Sequence, residues 1–233
     1  MLRFEANLLN LATRKEPPPL KEESTTMTPD RKTKMTSEEF VAMERHTGLR
    51  AEWLNGGVYA IAGGSHLHWL VATNIAGELR HRLKNSENHV LNSGMRLKVV
   101  STNLYAHPDV VIVQGDPAFE DDQKDTLLNP KIIIEVLSDQ TAAWDRGGKF
   151  WHYRQLDSLS DYIVVSQETR LADHYTRQPN GSWMLKTIEG EDGMIQLTSI
   201  KTQLPLVEVY ANTKVPHGQS PAANKTPHPQ VKA

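Results

Sequence analysis

The chain has 233 residues, of which 38% are hydrophobic and 23% charged, with a formal net charge of -2 and no cysteine. This length suits one domain with tails, since domains typically hold ~100 to 200 residues. The lack of cysteine excludes disulfides, thiolate zinc sites and a cysteine nucleophile, so any metal must bind oxygen or histidine ligands. The near-neutral charge gives no bulk attraction to phosphate, and a nucleic-acid function therefore needs a local basic surface.

The sequence predicts no membrane association, because no apolar run approaches the ~20 residues that a membrane span requires. Glu5 and Asn7 interrupt the hydrophobic patch at the N-terminus, so this patch does not resemble a secretory signal. We therefore expect a cytoplasmic protein.

Both ends of the chain have the composition of disordered segments. Residues 1–35 contain a proline triplet and the polar run KEESTTMTPDRKTK, with Met27 and Met35 as alternative start sites, and residues 212–233 are rich in Pro, Lys and Ala. Such segments bury too little apolar surface to offset the entropy of ordering. The folded domain is predicted to span residues 36–211.

The first part of the domain is predicted to form a helix, a hairpin and a second helix. Thr36 and Glu39 have the spacing of a capping box, which starts a helix. The sequence Asn55-Gly56-Gly57 tolerates positive φ and predicts a hairpin turn. After Ser65, apolar residues recur every fourth position, which is typical of a helix; they are Leu67, Val71, Ile75, Leu79 and Leu83.

The middle of the domain is predicted to form three strands. Residues 95–99 alternate between apolar and basic side chains, which predicts that Arg96 and Lys98 face water. Residues 110–113 and 132–136 are apolar and β-branched on both faces, which is typical of central strands covered by helices on both sides. These two strands are expected to be neighbours in the sheet.

The remaining elements alternate between helices and strands. We expect a helix over residues 144–156, a buried strand over 162–165, a hairpin formed by 170–175 and 183–188, and a short last helix beginning at Pro205 and ending at Tyr210.

Two acidic residues interrupt the most hydrophobic strands. Asp109 opens the run PDVVIV, and Glu135 lies inside IIIEVLS. A buried carboxylate is costly unless it is paired, hydrogen-bonded or bound to a metal, and two of them on neighbouring strands converge. Hard oxygen ligands of this kind suit Mg²⁺ or Mn²⁺. The alternative is structural, with Asp109 capping a turn and Glu135 paired with a lysine or arginine.

These residues carry a resemblance to known nucleases. Pro108-Asp109 followed by Glu135 resembles part of the PD-(D/E)XK motif. The stretch from Thr36 to Tyr210 is similar to the Uma-type restriction endonuclease family within that superfamily; the matching blocks are EWLNGGVYAIAGGSHLHWLVATNI, PDVVIV, DTLLNPKIIIEVLSDQT, DRGGKFWHYRQL, DYIVVSQ and TSIKTQLPLVEVY. The resemblance implies an α/β restriction-endonuclease-like fold, a mixed β-sheet flanked by helices.

The chain departs from the general motif at one position. Leu137 stands where many of these nucleases have a lysine, and the family resemblance suggests that Lys149 has taken over this role from the next helix. Its ammonium could hold or deprotonate the attacking water, or stabilise charge at phosphorus. Alternatively, Asp145 and Lys149 form an ordinary surface pair at i,i+4.

Further candidate residues follow from the resemblance and from local charge. Glu52 matches an acidic family position and could bind metal, or it is an exposed turn residue; His68 could contact phosphate at a helix start. Tyr153 could orient Lys149, meet a phosphate or pack in the core. Arg96 and Lys98 are candidates for binding nucleic acid.

Together these residues imply a Mg²⁺- or Mn²⁺-dependent endonuclease that hydrolyses DNA phosphodiester bonds, with Asp109, Glu135 and Lys149 as its catalytic residues. Two alternatives stay open, namely an inactive nuclease-fold protein that binds nucleic acid or protein, and a hydrolase of small phosphate esters. DNA is the expected partner. A homodimer is compatible with this function, since cutting both strands commonly needs two sites related by a twofold axis.

Overall fold

The protein is described here by a computed structural model that covers residues 34–61, 63–138 and 141–216. The predictions of disorder for residues 1–33 and 217–233 lie outside these ranges. Met35 packs into the domain, since its carbonyl accepts a hydrogen bond from Trp53 Nε1 at 2.8 Å. At the other end, Val215 is buried and its carbonyl accepts a hydrogen bond from Arg170 Nε. Domain contacts therefore begin and end slightly outside the expected limits of 36 and 211.

The described residues form the expected sequence of elements with several additional short strands. The strands in chain order are β1 Ala51–Leu54, β2 Gly57–Ala60, β3 Asn88–Asn92, β4 Arg96–Val99, β5 Leu104–Ala106, β6 Val110–Gln114, β7 Thr126–Leu127, β8 Ile132–Leu137, β9 Asp161–Ser166, β10 Leu171–Arg177, β11 Trp183–Glu189, β12 Met194–Leu197 and β13 Thr202–Pro205. The helices are α1 Ser37–Thr47, α2 His66–Leu83, α3 Phe150–Tyr153 and α4 Leu206–Val209; a π-helical segment, Trp144–Lys149, runs directly into α3, and 3₁₀ turns lie at Val100–Thr102 and Thr198–Ile200.

The local signals that predicted α1 and the first hairpin are confirmed. Thr36 Oγ1 accepts a hydrogen bond from Glu39 N, and Glu39 Oε2 accepts one from Thr36 N, so both halves of the capping box are present. Between β1 and β2, Asn55 and Gly56 have φ of 49° and 94°. Asn and Gly adopt this left-handed conformation at low cost, and the turn therefore closes where the sequence places it.

The strands divide among three sheets in the described part of the chain. A six-stranded sheet has the order β11-β10-β9-β8-β6-β3, a five-stranded sheet has the order β2-β1-β5-β4-β7, and β12 pairs with β13. β6 and β8 are antiparallel neighbours, as predicted, whereas β8 and β9 are parallel. The expected α/β fold of mixed sheets flanked by helices is confirmed.

Two different layers cover the six-stranded sheet. On one face, Val110, Ile112 and Ile134 pack with Val71, Ile75 and Leu79 of α2. On the other face, residues of β6, β8 and β9 pack with the five-stranded sheet and with the segment around α3; they are Val111, Val113, Ile133, Tyr162 and Val164. The expectation of helices on both faces was therefore only partly correct, because the second face is covered by the five-stranded sheet as well as by the segment around α3; an apolar strand pattern requires a covering layer but does not specify its type.

The predicted exposure of Arg96 on β4 was also wrong. Leu97 and Val99 face the core as expected, but Arg96 is only 5% exposed on the opposite face. Its Nε donates a hydrogen bond to Glu44 Oε2 of α1 at 2.8 Å. Because α1 covers this face of β4, the polar side of the alternating pattern is buried as an ion pair and not solvated.

Within the described ranges, none of the helices combines the length and the apolar character needed to cross a lipid bilayer.

Candidate functional site

The structure brings Asp109, directly before β6, together with Glu135 of the adjacent strand β8. Val110 is paired with Ile134 in the antiparallel register, so the residues that flank this pair lie side by side. Asp109 N donates a hydrogen bond to Glu135 Oε2 at 3.3 Å, and Val136 N donates one to Asp109 Oδ2 at 2.8 Å. Both carboxylates are thus tied to the backbone where the two sheets meet.

Lys149 is the centre of a buried ionic cluster. Its Nζ lies 2.9 Å from Glu52 Oε1, 3.2 Å from Glu135 Oε1 and 3.0 Å from Asp145 Oδ1. All four residues of this cluster are less than a tenth exposed. The alternative interpretation, in which Asp145 and Lys149 form an ordinary surface pair, was therefore wrong.

Glu52 reaches the cluster from the five-stranded sheet. Its neighbour Trp53 packs with Phe40 and Tyr105 on one face of β1, and successive side chains of a strand point to opposite faces, so Glu52 points the other way. Trp144 Nε1 donates a hydrogen bond to Glu52 Oε2 at 3.3 Å. Because Glu52 is only 7% exposed, it is not the solvent-exposed turn residue of the alternative interpretation.

Tyr153 and Leu137 are both buried beside Glu135. Tyr153 is fully buried and its hydroxyl donates a hydrogen bond to Glu135 Oε1 at 3.1 Å, so it holds the carboxylate and has no surface for a phosphate. Leu137 is packed in the core between the sheets. A hydrophobic side chain thus fills the usual lysine position, and the ammonium reaches Glu135 from the next helical segment.

His68 lies beside Asp109 at the start of α2. Ser65 caps this helix by accepting a hydrogen bond from His68 N, and His68 Nε2 lies 3.0 Å from Asp109 Oδ1. The histidine therefore orients the carboxylate in this arrangement.

The electrostatics of the cluster are dominated by burial and by an excess of negative charge. Burial raises the pKa of Glu135 to about 8; Lys149 opposes this shift, and the carboxylates of Asp145, Asp109 and Glu52 add to it. Burial alone lowers the pKa of Lys149, but Glu135 and Glu52 beside its ammonium raise it well above its ordinary value. Lys149 is therefore protonated, and Glu135 readily holds a proton when no further cation is present.

The donor chemistry of the cluster fits a hard divalent cation. Glu52, Asp109, Glu135 and Asp145 supply carboxylate oxygens, and these four acidic groups outnumber the single ammonium of Lys149. Within the described ranges, however, no three acidic or histidine side chains already converge on one point as metal ligands. Glu135 is engaged by Lys149 and Tyr153, so a metal at this site must compete with these contacts.

The two basic candidates for nucleic-acid binding are engaged by carboxylates. Arg96 contacts Glu44 and Asp125 and is buried, so it has no free guanidinium for a phosphate. Lys98 pairs with Glu120, and its ammonium lies 5.0 Å from the centre of the Tyr105 ring. The prediction that Arg96 binds nucleic acid stays untested, but its burial against Glu44 does not favour it; the strand pattern alone did not reveal this partner helix.

Sequence reasoning missed Asp145 and Trp144 as members of the site. Asp145 was considered only as the i,i+4 partner of Lys149; this spacing was the available signal, because side chains four residues apart lie on the same face of a helix. For Trp144 the sequence contains no signal, since its contact with Glu52 joins two distant parts of the chain.

Comparisons with known proteins agree with this architecture. The crystal structure of "a putative nuclease" from Anabaena variabilis superposes with a TM-score of 0.62 and 13% identity, covering 75% of this chain and 97% of that one. Two uncharacterized proteins of Synechocystis sp. are related in sequence: sll1609 is 28% identical over 72% of this chain and 94% of its own length, and slr1290 is 30% identical over 76% and 92%.

The family model named Uma2, described as "Putative restriction endonuclease", matches residues 37–206. This range includes the whole cluster around Lys149. The chain therefore belongs to the Uma2 family.

Proposed function

We propose that the protein is a metal-dependent endonuclease that hydrolyses phosphodiester bonds in DNA, with Asp109, Glu135 and Lys149 as catalytic residues. The observation that carries this proposal is the contact of Lys149 Nζ with both Glu135 and Glu52 inside a buried cluster. A lysine beside two strand-borne carboxylates supplies both metal ligands and a cation for developing negative charge, which favours phosphodiester hydrolysis, although Leu137 fills the usual lysine position. The Uma2 membership supports the same reaction class.

The chain contributes hard ligands for a divalent cation. Asp109, Glu135 and Glu52 would hold Mg²⁺ or Mn²⁺, since carboxylate oxygens are the ligands that both ions prefer. Such an ion, when bound, lowers the pKa of a coordinated water and neutralises charge on a phosphate oxygen.

Other residues fix the positions of these ligands. Val136 N and His68 Nε2 hold the two oxygens of Asp109, Tyr153 holds Glu135, and Trp144 holds Glu52. Because rigidly held groups need little reorganisation during a reaction, these contacts favour catalysis.

Lys149 contributes positive charge. In the metal-free protein the carboxylates of Glu135 and Glu52 raise the pKa of Lys149, so its side chain is an ammonium there. An ammonium in this position stabilises the negative charge that develops on the phosphoryl oxygens during displacement, and it also keeps Glu52 and Glu135 close together.

The test is metal-dependent cleavage of supercoiled plasmid and of single-stranded circular DNA by the purified full-length chain, compared with Glu135→Gln and Asp109→Asn. Both substitutions keep the side-chain shape and remove the negative charge. Glu87→Gln is the matched control, because Glu87 is an exposed carboxylate just before β3 and outside the cluster.

We expect cleavage with Mg²⁺ or Mn²⁺, none in chelator, and a loss of roughly 100-fold or more in the two site variants. Equal cutting by all variants would identify a contaminating nuclease, and absence of cutting under every condition would favour a non-catalytic binding protein. Direct conversion of plasmid to the linear form would indicate that two sites act together in a dimer.

A further inference from the structure

Two tryptophans are exposed beside the residues of the cluster. Trp69 is 44% exposed and Trp151 is 51% exposed, whereas most other large aromatic side chains of the described residues pack inside the protein. A single exposed apolar side chain is common on a protein surface and needs no explanation. These two differ because each ring packs against a histidine. Each histidine in turn contacts a different carboxylate of the site, either directly or through another tryptophan.

Trp69 is connected to Asp109 through His68. The Trp69 and His68 rings meet edge to face, with centroids 5.0 Å apart and an interplanar angle of 80°. His68 Nε2 in turn lies 3.0 Å from Asp109 Oδ1. A Cβ at Gly64 would lie 2.7 Å from the His68 ring and 2.9 Å from the Trp69 ring, so both rings rest on bare glycine backbone. The indole is thus fixed in orientation while much of its surface remains open.

Trp151 is connected to Glu52 in a similar way. Its ring meets that of His152 edge to face, with centroids 4.9 Å apart and an interplanar angle of 89°. The His152 ring lies 5.9 Å from that of Trp144, whose Nε1 donates a hydrogen bond to Glu52. A second indole is therefore fixed close to the cluster, on the helical segment that carries Lys149.

The basic residues near this surface do not favour binding of a duplex through its phosphates. Duplex binders commonly neutralise many phosphates with free lysine and arginine side chains. Here Lys149 is surrounded by carboxylates, and Arg146 of the π-helical segment pairs with Asp173. Exposed aromatic rings recognise nucleic acid differently, because an unpaired base stacks on an indole whatever its sequence.

From these contacts we propose that Trp69 and Trp151 are stacking platforms for unpaired bases, and that the substrate is single-stranded nucleic acid. This inference rests on the proposed nuclease function and specifies its substrate class. The two platforms are linked to the cluster through different carboxylates, Asp109 and Glu52, so a base stacked on either indole lies beside residues of the proposed site. Paired bases in a duplex have no free faces and gain nothing from these side chains.

The test is equilibrium binding of a fluorescently labelled 20-nucleotide strand, measured by anisotropy in chelator so that binding is separated from cleavage. The same sequence is compared as single-stranded DNA, single-stranded RNA and blunt duplex DNA. The full-length protein is compared with Trp69→Ala, Trp151→Ala and the two Trp→Phe variants. Met184→Ala is the control, because Met184 is 53% exposed on β11 and has no part in the site.

We expect the wild type to bind single strands more tightly than the duplex. Each Trp→Ala variant should weaken single-strand binding by ~5- to 150-fold, Trp→Phe should weaken it less, and Met184→Ala should leave it unchanged. The DNA and RNA arms show which backbone is preferred.

Wild-type affinity in both Trp→Ala variants, or equal binding of duplex and single strand, would overturn the proposal. Tryptophan-dependent binding without cleavage under any metal condition would instead overturn the nuclease function and leave the stacking platforms in place.

Discussion

Lys149 Nζ lies 2.9 Å from Glu52 Oε1, and this contact connects the helical segment after β8 with the first strand of the other sheet. Glu135, Asp145 and Glu52 all surround the same ammonium, so one cation holds together carboxylates from three parts of the chain. Such clusters are costly to build, since every charge must be removed from water. Because burying each charge costs free energy, we expect that replacing any member of the cluster changes the stability or the activity measurably.

Replacement of Lys149 by methionine should abolish cleavage and also destabilise the fold. Without the ammonium, Glu52, Glu135 and Asp145 are left buried without their shared partner, which costs about 3 to 5 kcal/mol in the free energy of unfolding. Chemical denaturation measures the second effect and plasmid nicking the first. If Lys149→Met retained full activity, the assignment of a catalytic lysine to this helical segment would have to be abandoned.

The stability of the metal-free protein should fall as the pH rises from about 5 to about 8. The pKa of Glu135 is raised in the folded state, so its protonated form stabilises the fold below its ordinary pKa and this contribution is lost as the pH passes through the folded value. The effect should amount to a few kcal/mol, at about 1.4 kcal/mol per pKa unit.

Thermal unfolding in chelator at several pH values measures this dependence. Glu135→Gln cannot ionise, so its stability should change much less over the same interval. Addition of Mg²⁺ or Mn²⁺ should stabilise the wild type most at the high end of the interval, where the carboxylate is free of its proton. Identical pH profiles for wild type and Glu135→Gln would contradict this explanation.

Replacement of Arg96 should reduce stability without reducing the affinity for nucleic acid. Its guanidinium is buried against Glu44 and Thr126, and Arg96→Met leaves the Glu44 carboxylate with His107 as its remaining side-chain partner. We expect a loss of about 3 kcal/mol in the free energy of unfolding. Arg80→Met on the exposed surface of α2 is the control and should change stability by less than ~0.5 kcal/mol. A selective loss of DNA binding with normal stability would restore Arg96 as a phosphate contact.

Gly148 and Gly147 should respond oppositely to substitution by alanine. A Cβ at Gly148 would lie 1.9 Å from the ring of Trp144, whereas a Cβ at Gly147 meets no atom within 4 Å. Gly148→Ala should therefore displace Trp144 from Glu52 and cost about 1 to 3 kcal/mol. Gly147→Ala should be neutral or stabilise the helical segment by up to about 1 kcal/mol. Near-ultraviolet circular dichroism reports the displaced indole, and thermal unfolding reports the stability; similar behaviour of the two variants would argue against the Trp144 contact.

Local chemistry accounts for the elements that were predicted correctly. Three of these signals involve residues that are near neighbours in sequence. They are the capping box of Thr36 and Glu39, the Asn55-Gly56 turn and the apolar residues at every fourth position of α2. Their preferences therefore do not depend on contacts between distant parts of the chain. The apolar sequences of β6 and β8 also predict buried strands without reference to the rest of the chain. Asp109 and Glu135 are conspicuous because a carboxylate is unusual in or directly beside such a strand.

Short strands were harder to predict from sequence. β3, β5, β7, β12 and β13 have two to five residues each, too few for a clear alternating pattern, and were not anticipated. They form because their neighbours supply hydrogen-bond partners, which is information that lies elsewhere in the chain.

The sequence by itself determined the order of the main elements, the pair of acidic residues in neighbouring strands and the absence of any thiol ligand. Only the tertiary structure decided that Arg96 is neutralised by Glu44, that Lys149 is a buried cluster centre and that Trp144 supports Glu52. The physical reason is that the cost of a buried charge depends on its partners in space, and these partners come from segments that the folded chain alone brings together.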